Sequence, residues 1–227
     1  MTLERRVDPE WLDELPADDP RAVRSRRDLK LMNRIMGHAA ILRRAMAPAM
    51  TAASPKLAEL GAGDGTLLLQ VLRDTAKDGR IVFVDRQPVV SAAIVDRYFE
   101  RGYTATVDAS DVFDWLSADG ARYDCIVANL FLHHFEAPRL RELFALAARR
   151  TARFVACEPR RERLPLHGRR LVGLIGCNDV TRHDAHVSVR AGFHGRELSA
   201  LWPRGAEWTL EERKAGLFSH LFVAARS

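Results

Sequence analysis

The chain has 227 residues, 47% of them hydrophobic and 29% charged, with a formal net charge of +5. That length suits one α/β domain with residues to spare for a cap, and the composition is that of a globular protein with a full core. No apolar run reaches the length of a membrane span, the first thirty residues lack a secretory apolar stretch, and Cys125, Cys157 and Cys177 show no Cys-x-x-Cys spacing, so reduced thiols and a cytoplasmic location are expected.

In chain order, residues 1–20 place Pro9, Pro16 and Pro20 among acidic residues and read as an irregular arm with one short helix near Trp11. Residues 21–36 set Val23, Leu31, Met32, Ile35 and Met36 at helical spacing, with Gly37 as the stop, and a second helix is expected over 39–50. From Lys56 the pattern changes. Short apolar runs predict strands over 56–60, 80–85, 103–107, 123–129 and 152–157, separated by helices over 65–76, 88–101 and 137–149. Strands alternating with helices of this length indicate βαβ units and a parallel sheet. After residue 158, Pro159, Pro165, Gly168, Gly173 and Gly176 predict a loop-rich insertion, and residues 207–212 and 217–223 predict two strands around a turn at Lys214-Ala215-Gly216. The whole of 1–227 is expected to be one domain: a helical lid over 1–52, a core over 53–157, and an insertion with a terminal hairpin over 158–227.

Glu59-Leu60-Gly61-Ala62-Gly63-Asp64-Gly65 lies between the first predicted strand and its helix. Glycine at 61, 63 and 65 permits a tight turn and keeps Cβ atoms away from a ligand. A dinucleotide fingerprint needs Gly or Ala at position 66, which is Thr. Charge points the same way: Glu59 and Asp64 would repel a pyrophosphate, whereas S-adenosylmethionine carries an ammonium and a sulfonium and no phosphate. Asp85, at the end of the second predicted strand and twenty residues past Gly65, is placed to accept both ribose hydroxyls.

Tyr123-Asp124-Cys125-Ile126-Val127-Ala128-Asn129-Leu130-Phe131-Leu132-His133-His134-Phe135 resembles the fourth-strand motif of small-molecule methyltransferases, including the ubiquinone/menaquinone-biosynthesis type. With the glycine-rich turn, residues 56–157 resemble the core of the class I S-adenosylmethionine-dependent methyltransferases in order and spacing. The resemblance implies a doubly wound, Rossmann-like, seven-stranded sheet, mostly parallel with an antiparallel C-terminal hairpin, helices on both faces and an N-terminal helical lid. It implies S-adenosylmethionine as cofactor and S-adenosylhomocysteine as product, held by Glu59, Gly61, Ala62, Gly63, Gly65, Asp85 with Arg86, and Asn129 with Leu130. Asp111-Val112 resembles the family's adenine-binding pair, with Asp108 as the alternative. Asn129-Leu130-Phe131 departs from the Asn-Pro-Pro-Tyr pattern of amino-group methylation, and no Pro-Cys pair follows the fourth strand as in cytosine-C5 enzymes. The metal-dependent catechol type has acidic ligands where this chain has Asn129 and Glu158-Pro159, so no metal is expected.

Transfer from a sulfonium is an in-line displacement governed by alignment, and a phenolic acceptor would gain from a general base. His134, His133 and His183 are the candidate bases, His183 with Asp184 as its orienter. Arg27 and Asn33 of the lid, with Glu158, Asn178, Asp184 and Arg190, are candidate acceptor contacts. These features favour O-methylation of a phenolic or polyketide-derived small molecule. Two rivals are an RNA or protein methyltransferase that uses the basic clusters around Arg21–Arg44 and Arg160–Arg170, and a non-catalytic binding protein of the same fold. The clusters also admit an acidic carrier protein as partner; nucleic acid is disfavoured because no RNA-binding module or aromatic interleaving accompanies the arginines, and a homodimer is possible.

Overall fold

Strands buried on both faces read as continuous apolar runs, and the first of these, Lys56–Leu60 (β1), has Leu57, Ala58 and Leu60 fully buried. The computed structural model describes residues 3–73, 78–118, 120–162 and 176–227. The remaining strands are Gly79–Val84 (β2), Tyr103–Asp108 (β3), Cys125–Asn129 (β4), Arg153–Pro159 (β5), Trp208–Ala215 (β6) and Ser219–Arg226 (β7). They form one sheet in the order β3-β2-β1-β4-β5-β7-β6. β1 to β5 pair in parallel, and β7 runs antiparallel between β5 and β6. This is the predicted seven-stranded, doubly wound sheet with its terminal hairpin. Chain order reverses between β1 and β4, so the crevice beyond their carboxyl ends is where such a sheet receives a ligand.

The helices are Trp11–Glu14 (α1), Pro20–Ile35 (α2), His38–Met46 (α3), Thr66–Val71 (α4), Ala92–Phe99 (α5), Val112–Ser117 (α6), Ala137–Arg150 (α7), Asp179–Ala191 (α8) and Glu197–Leu201 (α9). One hydrophobic core gathers α6, α7 and α9 on one face of the sheet, with Phe144, Phe154, Trp202 and Phe222 in mutual ring contact. A second gathers α3, α4 and α5 on the other face around Met46, Leu57, Phe83 and Tyr98. No helix among the described residues is long and apolar enough to cross a membrane.

Gly37, at φ 70°, separates α2 from α3, where the sequence placed the stop. Other boundaries move for physical reasons. The second helix is α-helical only to Met46, and Pro48 tightens its end into a 3-10 turn over Ala47–Thr51. α5 starts at Ala92 rather than 88, and α4 ends at Val71, the rest of its predicted span falling partly outside the described residues. The hairpin turn starts at Gly216, not Lys214, because Lys214 and Ala215 still pair with His220 and Ser219, and Gly216 at φ 70° begins the reversal.

The largest correction falls in the predicted loop-rich insertion. Residues 179–191 are the helix α8, which buries Val180, Thr181, Asp184, Val187 and Ala191 at helical spacing. Two of those five are polar, so the apolar count missed the period. Arg163, Pro165, Gly168, Arg169, Arg170 and Gly173 lie outside the described residues.

Candidate active site

The turn after β1 is built by backbone that only glycine adopts without strain: Gly61, Gly63 and Gly65 have φ of 64°, 54° and 69°. Gly61 N–H donates to Val84 O at 2.9 Å, which stitches the turn to β2. A Cβ at Gly61 would lie 2.3 Å from the Phe131 ring, whereas a Cβ at Gly63 would meet nothing within 4 Å. The turn is thus packed on the β4 side and open at its middle. Tyr98 fastens its end from below, donating its hydroxyl to Gly65 O at 2.6 Å.

Three carboxylates wall this opening. Asp85 accepts from Gly63 N–H and from Gln87 N–H, each at 2.9 Å, so it shapes the turn and does not cap a helix, since α5 begins seven residues later. Asp64 holds Thr66 through its N–H at 3.1 Å and its hydroxyl at 2.6 Å, and pairs with Lys30 of α2. Glu59 is 3% exposed, and its Oε2 has no hydrogen-bond partner. Burial, with Asp64 and Asp85 adding to it, raises the Glu59 carboxyl to about 8. A buried acid with an unused oxygen beside an open glycine turn is unsatisfied as it stands, and a cationic ligand would complete it. The residues therefore fit the ammonium-bearing cofactor.

On the other side of the crevice, Leu130 has φ 52°, the one positive value among described non-glycine residues, and sits immediately after β4. Backbone strain of this kind concentrates at functional sites. Asn129 Nδ2 reaches Asn33 Oδ1 at 3.4 Å, joining β4 to α2, and Arg86 is exposed beside Asp85. Asp111 caps α6 through Phe113 N–H at 2.8 Å, which occupies one carboxylate oxygen, and Val112 is buried behind it. Asp108 accepts from the Ser110 hydroxyl at 2.6 Å.

Several expected acceptor contacts prove to be internal struts. His133 is 2% exposed: its Nδ1 meets Glu158 Oε2 at 2.8 Å and its Nε2 meets Glu10 Oε1 at 3.1 Å. Burial opposes the charged imidazole, but the bonds to Glu10 and Glu158 prevail and raise it to about 9. An imidazolium gripped at both nitrogens has no lone pair for a substrate proton, so His133 is not a base. The Glu10, His133 and His134 ligand atoms lie within 4.8 Å of one another, with His133 bonded through both nitrogens to Glu10 and Glu158.

Glu158, fully buried, does not line the acceptor pocket; its other oxygen accepts from Phe131 N–H at 3.0 Å and Leu132 N–H at 2.9 Å. Asn178 caps α8 through Thr181 N–H and donates to Arg21 O, and Asp184 caps α1 through Trp11 and Leu12 N–H at 2.9 and 3.0 Å. Neither side chain is free for an acceptor. Arg190 lies in the last turn of α8, where its carbonyl accepts from Arg6, and Arg27 is exposed on α2.

Two candidate bases keep partial exposure. His134 Nδ1 lies 3.2 Å from Asp13 Oδ2, and its ring is 6.5 Å from the Phe131 ring that packs on Gly61. His183 stacks on Trp11 at 3.9 Å, with its Nδ1 2.9 Å from Asp184 Oδ1, as the sequence pairing anticipates. The lid's apolar positions divide: Leu31 and Ile35 remain exposed, while Met32 and Met36 are half-buried. Among the described residues of the basic clusters, Arg161 is buried against Gly192 O and Glu197, Arg160 reaches Gly216 O, and Arg24 pairs with Asp28.

Sequence reasoning missed Glu10, Lys30 and His38. Glu10 sits in an arm without periodicity and Lys30 is hidden in an arginine-rich run. His38, which burial lowers to about 4, bonds Ser219 Oγ at 2.8 Å beneath the crevice. No local pattern marks any of the three.

The sheet has the strand order of a doubly wound fold, the open glycine turn after β1 is walled by carboxylates, and α2 touches both sides of the crevice at the switch point. Residues 57–153 match a family model described as a methyltransferase domain. The chain resembles the structure of an O-methyltransferase family protein from Burkholderia thailandensis at 20% identity and a TM-score of 0.61, over 93% of this chain and 61% of that one. It also resembles the plantazolicin methyltransferase BamL, solved with a triazolic desmethylPZN analog and SAH, at 11% identity and a TM-score of 0.66, over 95% and 93% of the two chains. The plantazolicin methyltransferase BpumL with SAH aligns over 92% of each chain at 12% identity and a TM-score of 0.63. At such identities the likeness is one of fold. No curated protein matches the chain in sequence.

Proposed function

We propose that this chain methylates an oxygen of a small phenolic or polyketide-derived acceptor, with 1–52 as lid, 53–157 as cofactor core and 158–227 completing the acceptor side. S-adenosylmethionine, when bound, supplies a methyl carbon already activated by a positively charged sulfur leaving group. The observation that carries the reading is the orphaned Glu59 Oε2, buried beside Asp64 and Asp85 at the switch point. Glu59 receives the ammonium; Gly61, Ala62, Gly63 and Gly65 leave room for the ligand; Asp85 takes the ribose hydroxyls. Asp111 keeps one oxygen for the adenine amino group beside Val112, and Asn129 with Leu130 forms the opposite wall. The O-methyltransferase family protein and the plantazolicin methyltransferases share this fold.

His134 serves as the base, oriented by Asp13 from the arm, because the Phe131 ring links it to the turn. His183 with Asp184 is the second candidate. Calorimetric titration with S-adenosylhomocysteine, followed by a methyl-release assay over a panel of phenols, tests the whole reading; absence of binding would end it. Asp85→Ala is expected to weaken S-adenosylhomocysteine by roughly 10- to 100-fold, the range for losing hydrogen bonds to a charged acceptor. Unchanged affinity would place the ribose elsewhere. His134→Ala is expected to lower turnover on a phenol of ordinary acidity by about two to four powers of ten while S-adenosylhomocysteine affinity stays level. Full turnover at pH 7 in both His134→Ala and His183→Ala would leave alignment as the sole source of rate.

A further inference from the structure

An amino-acid tail brings two opposite charges to the site: an ammonium that an acidic turn attracts, and a carboxylate on the same carbon that it repels. Glu59, Asp64 and Asp85 line the turn after β1, so a ligand carboxylate arriving there needs a cation of its own. Lys30 is a cation already at that place. It extends from α2 to pair with Asp64 Oδ2, while Asp64 Oδ1 is held by the Thr66 N–H at 3.1 Å and hydroxyl at 2.6 Å. The carboxylate that positions Lys30 is therefore itself fixed by the first residue of α4.

The lid helix meets both sides of the crevice from one face. Lys30 and Asn33 are three residues apart and so neighbours on the helix surface. Lys30 touches the turn after β1, and Asn33 touches Asn129 at the end of β4. The far side of the same helix is anchored to α8: Asp28 accepts from Asn178 N–H at 2.9 Å and from the Thr181 hydroxyl at 3.2 Å. Anchored there, α2 cannot carry Lys30 away without breaking buried bonds, yet the lysine side chain is 46% exposed and its long stem is free to turn.

We propose that Lys30 is the lid's ligand for the carboxylate of the cofactor's amino-acid end, swinging from Asp64 to the bound carboxylate without leaving the turn. The assignment rests on the cofactor reading above and deepens it. Glu59 and Lys30 then sort the two charges of the tail between core and lid, and the lid recognises a ligand that carries a carboxylate.

Calorimetry with three compounds tests it: S-adenosylhomocysteine, its decarboxylated analogue, which keeps the ammonium, and 5′-methylthioadenosine, which lacks the whole amino-acid tail. Lys30→Gln is expected to weaken S-adenosylhomocysteine about tenfold, as for loss of one charge-assisted contact at a half-exposed position. It should leave the other two affinities unchanged, and Lys30→Arg should restore most of the loss. If Lys30→Gln weakens the decarboxylated analogue as much as the parent, or weakens neither, the assignment is overturned while the cofactor reading stands. If the unaltered protein binds neither S-adenosylhomocysteine nor 5′-methylthioadenosine, the cofactor reading itself falls and takes the assignment with it.

Discussion

S-adenosylhomocysteine is expected to bind roughly tenfold more tightly at pH 7 than at pH 6, with about one proton released per ligand at the lower pH. The cause is Glu59, raised to about 8 by burial and by the facing Asp64 and Asp85. Below that value the carboxyl holds a proton that an arriving ammonium must displace, so each unit of pH costs about a factor of ten in affinity. The rise levels off above pH 8, where the free Glu59 carboxyl has already given up its proton.

Glu59→Gln removes the titrating group while keeping its shape. Its affinity is expected to be low and flat from pH 6 to pH 7, with no proton release when titrations in two buffers of different ionisation enthalpy are compared. A slope that survives in Glu59→Gln would assign the proton to another group. The same linkage acts on the free protein with the opposite benefit. A carboxyl raised in the folded state contributes stability that is complete below its ordinary 4.5 and is lost as pH rises toward 8. The ligand-free Glu59→Gln protein should therefore melt higher than the unaltered one at pH 8. Poor stability of the free site and strong attraction for a cation share one cause.

How far the site could be read from sequence differs between its two halves. The turn at Gly61–Gly65, Asp85 and the β4 motif are local: each needs one residue type at one position along a strand-to-helix junction, and spacing along the chain is spacing in space. The alternation of apolar runs indicated βαβ units and a parallel sheet, while the seven-stranded, doubly wound form with its hairpin came from the family resemblance. The polar array around His133 is assembled from the N-terminal arm, the turn after β4, β5 and α8, with Glu10 and His133 lying 123 residues apart in the chain. No periodicity joins them. Polar residues clustered at 178–184 signal function or capping equally, and here Asn178 and Asp184 are caps for α8 and α1. Lys30 was unreadable for a different reason: one lysine among eight basic residues of the N-terminal helices has no mark to distinguish a ligand from a solvated charge.

Glu158→Ala is expected to be the most destabilising single change in the chain outside the apolar core, at about 3–5 kcal/mol. Glu158 is buried completely and answers three donors: the N–H groups of Phe131 and Leu132, which fix the turn after β4, and the imidazolium of His133. Removing it orphans two buried N–H groups and leaves a charged histidine with Glu10 alone. Glu10 in turn holds down the N-terminal arm, helped by the Ser188 hydroxyl and by Arg5, which donates to Phe135 O at 2.9 Å and Ala191 O at 2.8 Å. A melting temperature lower by roughly 10 °C is expected, together with faster proteolytic cleavage in residues 3–15. The pH profile separates this from a plain packing defect. Burial opposes ionisation of Glu10, yet its bond to His133 lowers it to about 2, so its contribution is complete above its ordinary 4.5 and lost as pH falls toward 2. His133, raised to about 9, contributes fully below its ordinary 6.5 and loses that contribution as pH climbs to 9. The unaltered protein should accordingly lose stability between pH 6.5 and 9, and Glu158→Ala should remove His133's share of that loss while the share of Glu59 remains. A variant that melts within two degrees of the original and keeps the whole of that loss would show that the Glu10–His133–Glu158 array does not fasten the arm.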